Sequence, residues 1–356
     1  MNKYIVLFAL LFFTAFHRLT ACTTFFINKN GQLVFGRNYD WVSAAGMVCT
    51  NLAGLNKTSL KVTGSNTIAW VSKYGSITFN QYGKEFPTGG MNEKGLVVEL
   101  MWADGSKYPE PDKRPVMGVL QWIQYQLDNN QTIEEVIATD AVIRISPNDP
   151  PLHYLIADTG GNVATVEFIN GKLIVHTGKD LPFPVLTNNP YSQSEKAATG
   201  VNILSGNTRF SFQDNSLQRF AKACSMIQQY RQNDNHMPVI DYAFDILDKV
   251  SQEGFTKWSI VYDVKGKKIY FKTAVYSGIK SVNFKSFDFA CPAKAGAIDI
   301  NIDNKGDVGA HFGPFDDTQN RLIVEKAVEE SKSQVPMSDN EMAAIINYAK
   351  AIKCKQ

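Results

Sequence analysis

The chain changes character at Cys22. Upstream of it, Lys3 is followed by an apolar run, Tyr4–Phe16, and then by Leu19-Thr20-Ala21. This is the layout of an export signal, and the run is short for a bilayer span. Downstream, the pattern turns at once to β-structure. Thr23–Ile27 and Leu33–Gly36 flank Asn28-Lys29-Asn30-Gly31, whose Asn-Gly step signals a hairpin. Cleavage after Ala21 therefore makes Cys22 the first residue of a chain that opens with a strand. A cysteine in that place carries a thiol and an α-amine together, and an α-amine titrates at roughly 7.7–8.0, close to neutral pH. Nucleophile and general base then come from one residue. The same letters, Leu-Thr-Ala-Cys, also fit a lipidation signal, in which the cysteine becomes a membrane anchor. The two fates exclude each other, because an acylated amine accepts no proton.

Removal of residues 1–21 takes away Lys3 and Arg18 and brings the formal charge from +2 to zero. No basic stripe points to nucleic acid, and no second apolar stretch has membrane length. What remains is ample for one large core or two modest domains. Of five cysteines, Cys22, Cys49, Cys224, Cys291 and Cys354, none forms a CxxC pair, which argues against a structural zinc site. Export permits disulfides, and Cys291 with Cys354 is one way to close the C-terminal tail; buried free thiols are the other reading. His153, His176, His236 and His311 are scattered without metal-ligand spacing and read as ordinary core or surface residues. No cofactor is expected.

Further strands are expected at Thr67–Ser72, Ser76–Phe79 and Leu96–Met101, with Thr88–Gly95 as turn chemistry between two of them. Gly118–Leu127 has helical spacing, and Thr132-Ile133-Glu134-Glu135 is a capping box that opens a second helix. Strands return at His153–Ala157, Val163–Ile169 and Leu173–His176. Helices are expected at Ser216–Tyr230 and Val239–Val250, then strands near Ser259–Tyr262 and Lys268–Lys272. Two strand sets, each with helices, make an α+β layered fold. Residues 22–356 read as one domain, with 292–356, including helices near Asp317–Ser331 and Ser338–Ile352, as an appended C-terminal lobe.

If the first two strands form a hairpin, Arg37 and Asp40 return beside Cys22. A cation there favours thiolate, and a carboxylate orients the α-amine. An exposed Arg–Asp surface pair is the bland alternative. The motifs around these residues carry a resemblance. Cys22-Thr23, Gly36-Arg37-Asn38-Tyr39-Asp40, Gly90-Met91-Asn92-Glu93-Lys94-Gly95-Leu96, Leu186-Thr187-Asn188-Asn189-Pro190 and Ser216-Leu217-Gln218-Arg219-Phe220 occur in the order found in the choloylglycine hydrolase family. This family comprises bile salt hydrolases and penicillin V acylases, which are N-terminal-nucleophile amidohydrolases. The match runs from Cys22 to about Lys272.

The resemblance implies a four-layer αββα sandwich that hydrolyses a linear, non-peptide amide bond. It implies Cys22 as nucleophile and, through its amine, base. Arg37 would sit by the thiol, Asp40 would hold the amine, and Asn188 would line the oxyanion hole. Arg219 would support the charge network. One inserted residue puts the Arg219 register in question, with Arg209 as its rival. Where the family often has Asn or Tyr as an oxyanion residue, ten positions after Asn92, this chain has Trp102. Its backbone N–H can still donate while the indole walls the pocket. Trp41, Tyr39 and Phe79 are further wall candidates, and Asn92–Gly95 reads as a structural hairpin. The expected substrate is a small amide with a bulky apolar acyl group, bile-salt conjugates first, then penicillin V or acyl-homoserine lactones. A homo-oligomer, dimer or tetramer, is implied by the same resemblance. A lipid-anchored binding protein without catalysis is the reading of another class.

Overall fold

The computed structural model describes residues 22–62, 64–203, 211–232 and 237–355. Residues 1–21, where an export signal is expected, Arg209 and His236 lie outside the described residues. The first hairpin runs longer than its sequence pattern suggests: Thr23–Lys29 pairs with Gln32–Asp40, from Lys29↔Gln32 to Thr23↔Asn38. Its two-residue turn is Asn30-Gly31, with φ of 53° and 77°, the left-handed pair that Asn and Gly accept at least cost. The second strand therefore carries both Arg37 and Asp40 back to the start of the first.

That hairpin sits in a seven-stranded sheet. From one edge the order is Val185–Leu186, Thr23–Lys29, Gln32–Asp40, Thr256–Asp263, Lys268–Thr273, Lys280–Asn283 and Gly306–Asp307. A nine-stranded sheet stacks on it, in the order Lys172–Thr177, Val163–Ile169, Leu152–Ala157, Val97–Trp102, Pro87–Asn92, Ser76–Asn80, Met47–Asn51, Gly296–Asp299 and Gly313–Pro314. The period of two assigns the faces. Val97 and Met101, with Leu155 and Ala157, join the core between the sheets. Val98, Leu100, Tyr154 and Ile156 face outward onto Trp122, Ile123 and Leu127 of the helix Val119–Asn129. On the other side the helices Asn215–Gln232 and Val239–Lys249 pack on the first hairpin and bury Phe220, Ile227, Ile246 and Leu247. The result is the expected αββα sandwich.

Two local expectations need correction. Thr88–Asn92 is strand, not turn, and only the step from Glu93 to Gly95 reverses the chain. The two glycines were misleading because they serve close approach rather than chain reversal. A Cβ on Gly90 would come within 2.6 Å of the Ile77 carbonyl, and one on Gly89 would overlap the Glu99 carboxylate. The helix Tyr191–Gly200 was not foreseen. It follows Pro190 with no side-chain cap and little apolar periodicity, so local signals are weak. The Thr132–Glu135 capping box is formed as expected.

The segment after Pro292 is woven into this frame. Its strand Gly296–Asp299 extends the larger sheet beside Met47–Asn51. The helices Asp317–Ser331 and Asp339–Ala351 follow, and Lys353–Cys354 pairs with Asn56 and Leu55. Cys291 and Cys354 form a disulfide, while Cys22, Cys49 and Cys224 are free and buried. No helix among the described residues is long and apolar enough to cross a membrane.

The disulfide closes a loop of 63 residues in sequence. Such a cross-link restrains the unfolded chain by about 2–4 kcal/mol. The double variant Cys291→Ser, Cys354→Ser is expected to lose roughly that amount in urea unfolding at pH 7, with a somewhat larger m-value because the freed unfolded chain exposes more surface. An unaltered midpoint would show that the tail contributes nothing to the cooperative unit.

Candidate active site

Cys22 stands at the head of the first strand, 3% exposed. Its thiol donates to the backbone carbonyl of Asp40, 3.9 Å away across the hairpin. Burial pushes the thiol pKa up, the Arg37 charge draws it back, and Asp40 raises it. Arg219 is a further cation within reach of the sulfur.

Arg37 is wholly buried. One guanidinium nitrogen donates to the Thr88 carbonyl at 3.0 Å and to a Glu99 carboxylate oxygen, and its plane lies over the Tyr39 ring. Asp40 receives a hydrogen bond from Thr256 Oγ1 at 2.5 Å and one from Gln252 Nε2 at 2.9 Å. Burial lifts its carboxyl to about 6 against the pull of Arg219. The bland reading of Arg37 and Asp40 as an exposed surface pair is thereby excluded.

Arg219 is the connector. From the helix Asn215–Gln232, one of its nitrogens donates to the Cys22 carbonyl and to Thr23 Oγ1, each at 2.6 Å. Another donates to Asn188 Oδ1 at 2.9 Å, and its Nε donates to Asn215 Oδ1 at 2.8 Å. The inserted residue in Ser216–Phe220 leaves this arginine on the site-facing side of the helix. Burial lowers its pKa, and Asp40 raises it.

Asn188 spans the sheets in turn. Its Nδ2 donates to the Trp102 carbonyl at 2.8 Å, and its backbone N–H donates to Ser216 Oγ at 2.9 Å. Trp102 ends its strand at the site. Ala103 N–H donates to the Pro151 carbonyl, so strand alternation turns the backbone groups of Trp102 away from Leu152–Ala157. Its partly exposed indole lies tilted against Trp41, with ring centroids 5.9 Å apart. Trp41 donates to Tyr82 Oη at 2.8 Å, and Tyr82 donates to Ser331 Oγ at 2.9 Å, so a helix of the C-terminal segment braces the aromatic wall.

Two wall candidates fall elsewhere. Phe79 is fully buried between Tyr262 and Phe271 in the core, and Tyr39 stacks on Trp258 beneath the site. The turn Asn92–Gly95 is structural. Asn92 Oδ1 accepts from Lys94 N and Leu96 N, and its amide donates to the Leu127 and Asn130 carbonyls.

Several contributors escaped the sequence reading. Ser216 Oγ accepts from the backbone N–H of both Asn188 and Asn189, and so fixes the loop that carries Asn188. His153, read as an ordinary core residue, is indeed buried, but it places a ring nitrogen 2.6 Å from the Thr187 carbonyl and the other 3.2 Å from Glu167. Glu99 is the clearest omission. Its signal was a single carboxylate inside the apolar strand Val97–Trp102, at an inward position. A cavity of about 460 Å³ opens at the far end of the same hairpin, around Lys29, Gln32, Tyr230 and Lys265. It lies roughly 20 Å from Cys22 along the strand, and no cysteine, serine or threonine is among its described lining residues.

The chain matches the family of linear amide C–N hydrolases, choloylglycine hydrolase family, over residues 22–202. It is 26% identical over 296 residues to the penicillin V acylase of Pectobacterium atrosepticum, covering 70% of this chain and 78% of that protein. The structure of penicillin V acylase from Agrobacterium tumefaciens superimposes with a TM-score of 0.72 at 24% identity, over 83% of this chain and 98% of that one. A conjugated bile acid hydrolase from Clostridium perfringens superimposes with a TM-score of 0.65 at 18% identity, over 80% and 98% of the two chains. The matched region opens at Cys22 and holds Arg37, Asp40, Trp102 and Asn188, and on this ground the chain belongs to the choloylglycine hydrolase family of linear amide C–N hydrolases.

Proposed function

We propose that the protein is exported, is cut after Ala21, and hydrolyses the amide bond of a small molecule with a bulky acyl group, using Cys22 as nucleophile. The carrying observation is the convergence of Arg37, Asp40 and Arg219 on a buried thiol at the head of a strand, with Asn188 tied to the same place through Arg219. That arrangement has no use in a lipid-anchored binding protein, whose cysteine nitrogen is acylated.

The proposed reaction runs in two stages. The freed α-amine of Cys22, oriented by the Asp40 carboxylate, takes the thiol proton. The thiolate, favoured by Arg37, attacks the amide carbon, and negative charge moves to the carbonyl oxygen. The Asn188 amide and the Trp102 backbone N–H are the proposed donors to that oxygen. Loss of one such donor typically costs roughly 10²–10³ in rate. The ammonium then protonates the leaving nitrogen, the C–N bond breaks, and a thioester to Cys22 remains. Water, deprotonated by the same amine, attacks the thioester and releases the acid. Asn188 also donates to the Trp102 carbonyl, so both oxyanion donors are held by one contact.

The tilted indole pair of Trp41 and Trp102 supports an acyl group that carries an aromatic ring. Flat π-faces gain more from a second ring than from fused aliphatic rings, by about 0.5–1.5 kcal/mol. Penicillin V, with its phenoxyacetyl group, is therefore our first substrate, ahead of glycine and taurine bile conjugates. A relative at 26% identity that is a penicillin V acylase is in keeping with this order.

Three outcomes are expected. Cys22→Ala abolishes amide hydrolysis with an unchanged circular dichroism spectrum, and Cys22→Ser slows it strongly; full turnover by either variant, or a diacylglyceryl mass on Cys22 in protein from the native host, refutes the scheme. With penicillin V, kcat/KM falls below about pH 8 as the α-amine takes up a proton, and falls more steeply below about 6, where Asp40 also takes one up and ceases to orient the amine; a slope that does not steepen between pH 7 and 5 contradicts that role. Trp102→Ala raises KM for penicillin V roughly 3- to 10-fold, the kinetic equivalent of the lost ring contact, and raises KM for glycocholate less. Equal increases for both substrates would remove the basis for the substrate order.

A further inference from the structure

A buried carboxylate behind the site has no part in the mechanism above. Glu99 lies in the middle of the strand Val97–Trp102, wholly buried, with its side chain between the two sheets. One oxygen receives the Arg37 guanidinium and the other the Tyr262 hydroxyl. Directly across the larger sheet, Glu99 is paired with Gly89, and a Cβ there would overlap the carboxylate. The smaller sheet thus supplies both donors, and the larger sheet leaves out a side chain to make room.

Burial of a carboxylate is costly unless a compensating charge is fixed beside it, and here that charge is the cation that also faces Cys22. Arg37 spends one nitrogen on Thr88 and Glu99, while its Nε and Nη2 meet no hydrogen-bond acceptor among the described residues. A guanidinium shared in this way acts on the sulfur with only part of its charge. The groups that bear on the cluster are few. Arg37, Cys22 and Tyr39 come from the first hairpin and Tyr262 from Thr256–Asp263, with Asp40 and Arg219 acting through the sulfur.

We propose that Glu99 is a positioning residue for the amide hydrolysis, holding the Arg37 guanidinium in place and setting how strongly that cation favours the Cys22 thiolate. The proposal rests on the functional reading above for its purpose. Burial raises the Glu99 carboxyl to about 7 against the pull of Arg37, so its charge changes within the working range of a neutral-pH hydrolase. Loss of that charge leaves Arg37 uncompensated and moves the thiol toward thiolate.

The test is iodoacetamide alkylation of Cys22 in the mature protein as a function of pH, with the modified residue identified by peptide mass spectrometry. Glu99→Gln keeps the shape and removes the charge. The midpoint of alkylation is expected to fall by about one pH unit or more, within the range by which an opposite charge shifts a neighbour. Glu99→Asp, which keeps the charge, should stay nearer the native midpoint than Glu99→Gln. An unchanged or higher midpoint in Glu99→Gln overturns the proposal. If that variant does not fold, Tyr262→Phe decides, because loss of its hydroxyl disfavours the carboxylate. A smaller downward shift supports the proposal, and no shift or an upward one overturns it. Alkylation does not depend on turnover, so a native protein that fails to cleave any amide sinks the functional reading while the role of Glu99 is still decided by the midpoints.

Discussion

The site depends on one buried guanidinium. Arg219 reaches from a helix on the outside of the smaller sheet and binds the carbonyl of Cys22, the hydroxyl of Thr23 and the side-chain oxygen of Asn188. Its fourth bond, to Asn215, fixes its own stem to the start of the helix. A planar fork with several donors can join groups from three directions at once, which a lysine cannot do. The first residue of the strand, the Asn188 loop and the helix are thereby fixed relative to one another. Asn188 extends the link to the larger sheet through Trp102, so the site is stapled across the interface between layers.

The same interface explains the charge pattern. Two cations, Arg37 and Arg219, and the Asp40 carboxylate lie buried around a thiol, and a second buried carboxylate, Glu99, lies behind Arg37. Each carboxylate is held by neutral donors: Thr256 and Gln252 serve Asp40, and Tyr262 serves Glu99 beside Arg37. Burial raises both carboxyls and the thiol, while the arginines oppose that rise. Groups poised between opposing influences are suited to moving a proton near neutral pH. The aromatic side of the site is built differently. Trp41 and Trp102 form a wall whose polar edge is braced through Tyr82 by Ser331. The C-terminal segment, although distant in sequence, therefore supports this aromatic wall.

Local chemistry made much of this legible. An Asn-Gly turn fixed the first hairpin, and the hairpin register alone brought Arg37 and Asp40 back to Cys22. The capping box at Thr132 and the apolar spacing after Gly118 marked their helices because both signals lie within a few residues. The reading failed where a residue type has two uses. Gly89 and Gly90 suggested a turn, yet they are strand positions that admit Glu99 and the neighbouring backbone. Phe79 looked fit for a pocket wall and is core, since an apolar side chain carries no mark of which layer will cover it.

The amino-acid sequence by itself determined the cysteine that closes the apolar leader-like run, the hairpin behind it and the order of motifs that marks the family. Each of these is written in neighbouring residues, where turn chemistry and strand alternation operate. Only the tertiary structure decided that Arg219 meets residue 22, that Cys291 joins Cys354, that Glu99 holds Arg37, and that the Trp102 indole leans on Trp41. These contacts span tens to hundreds of residues and arise when two sheets close on each other. Nothing in a local pattern states which buried charge will find which partner until the layers have packed.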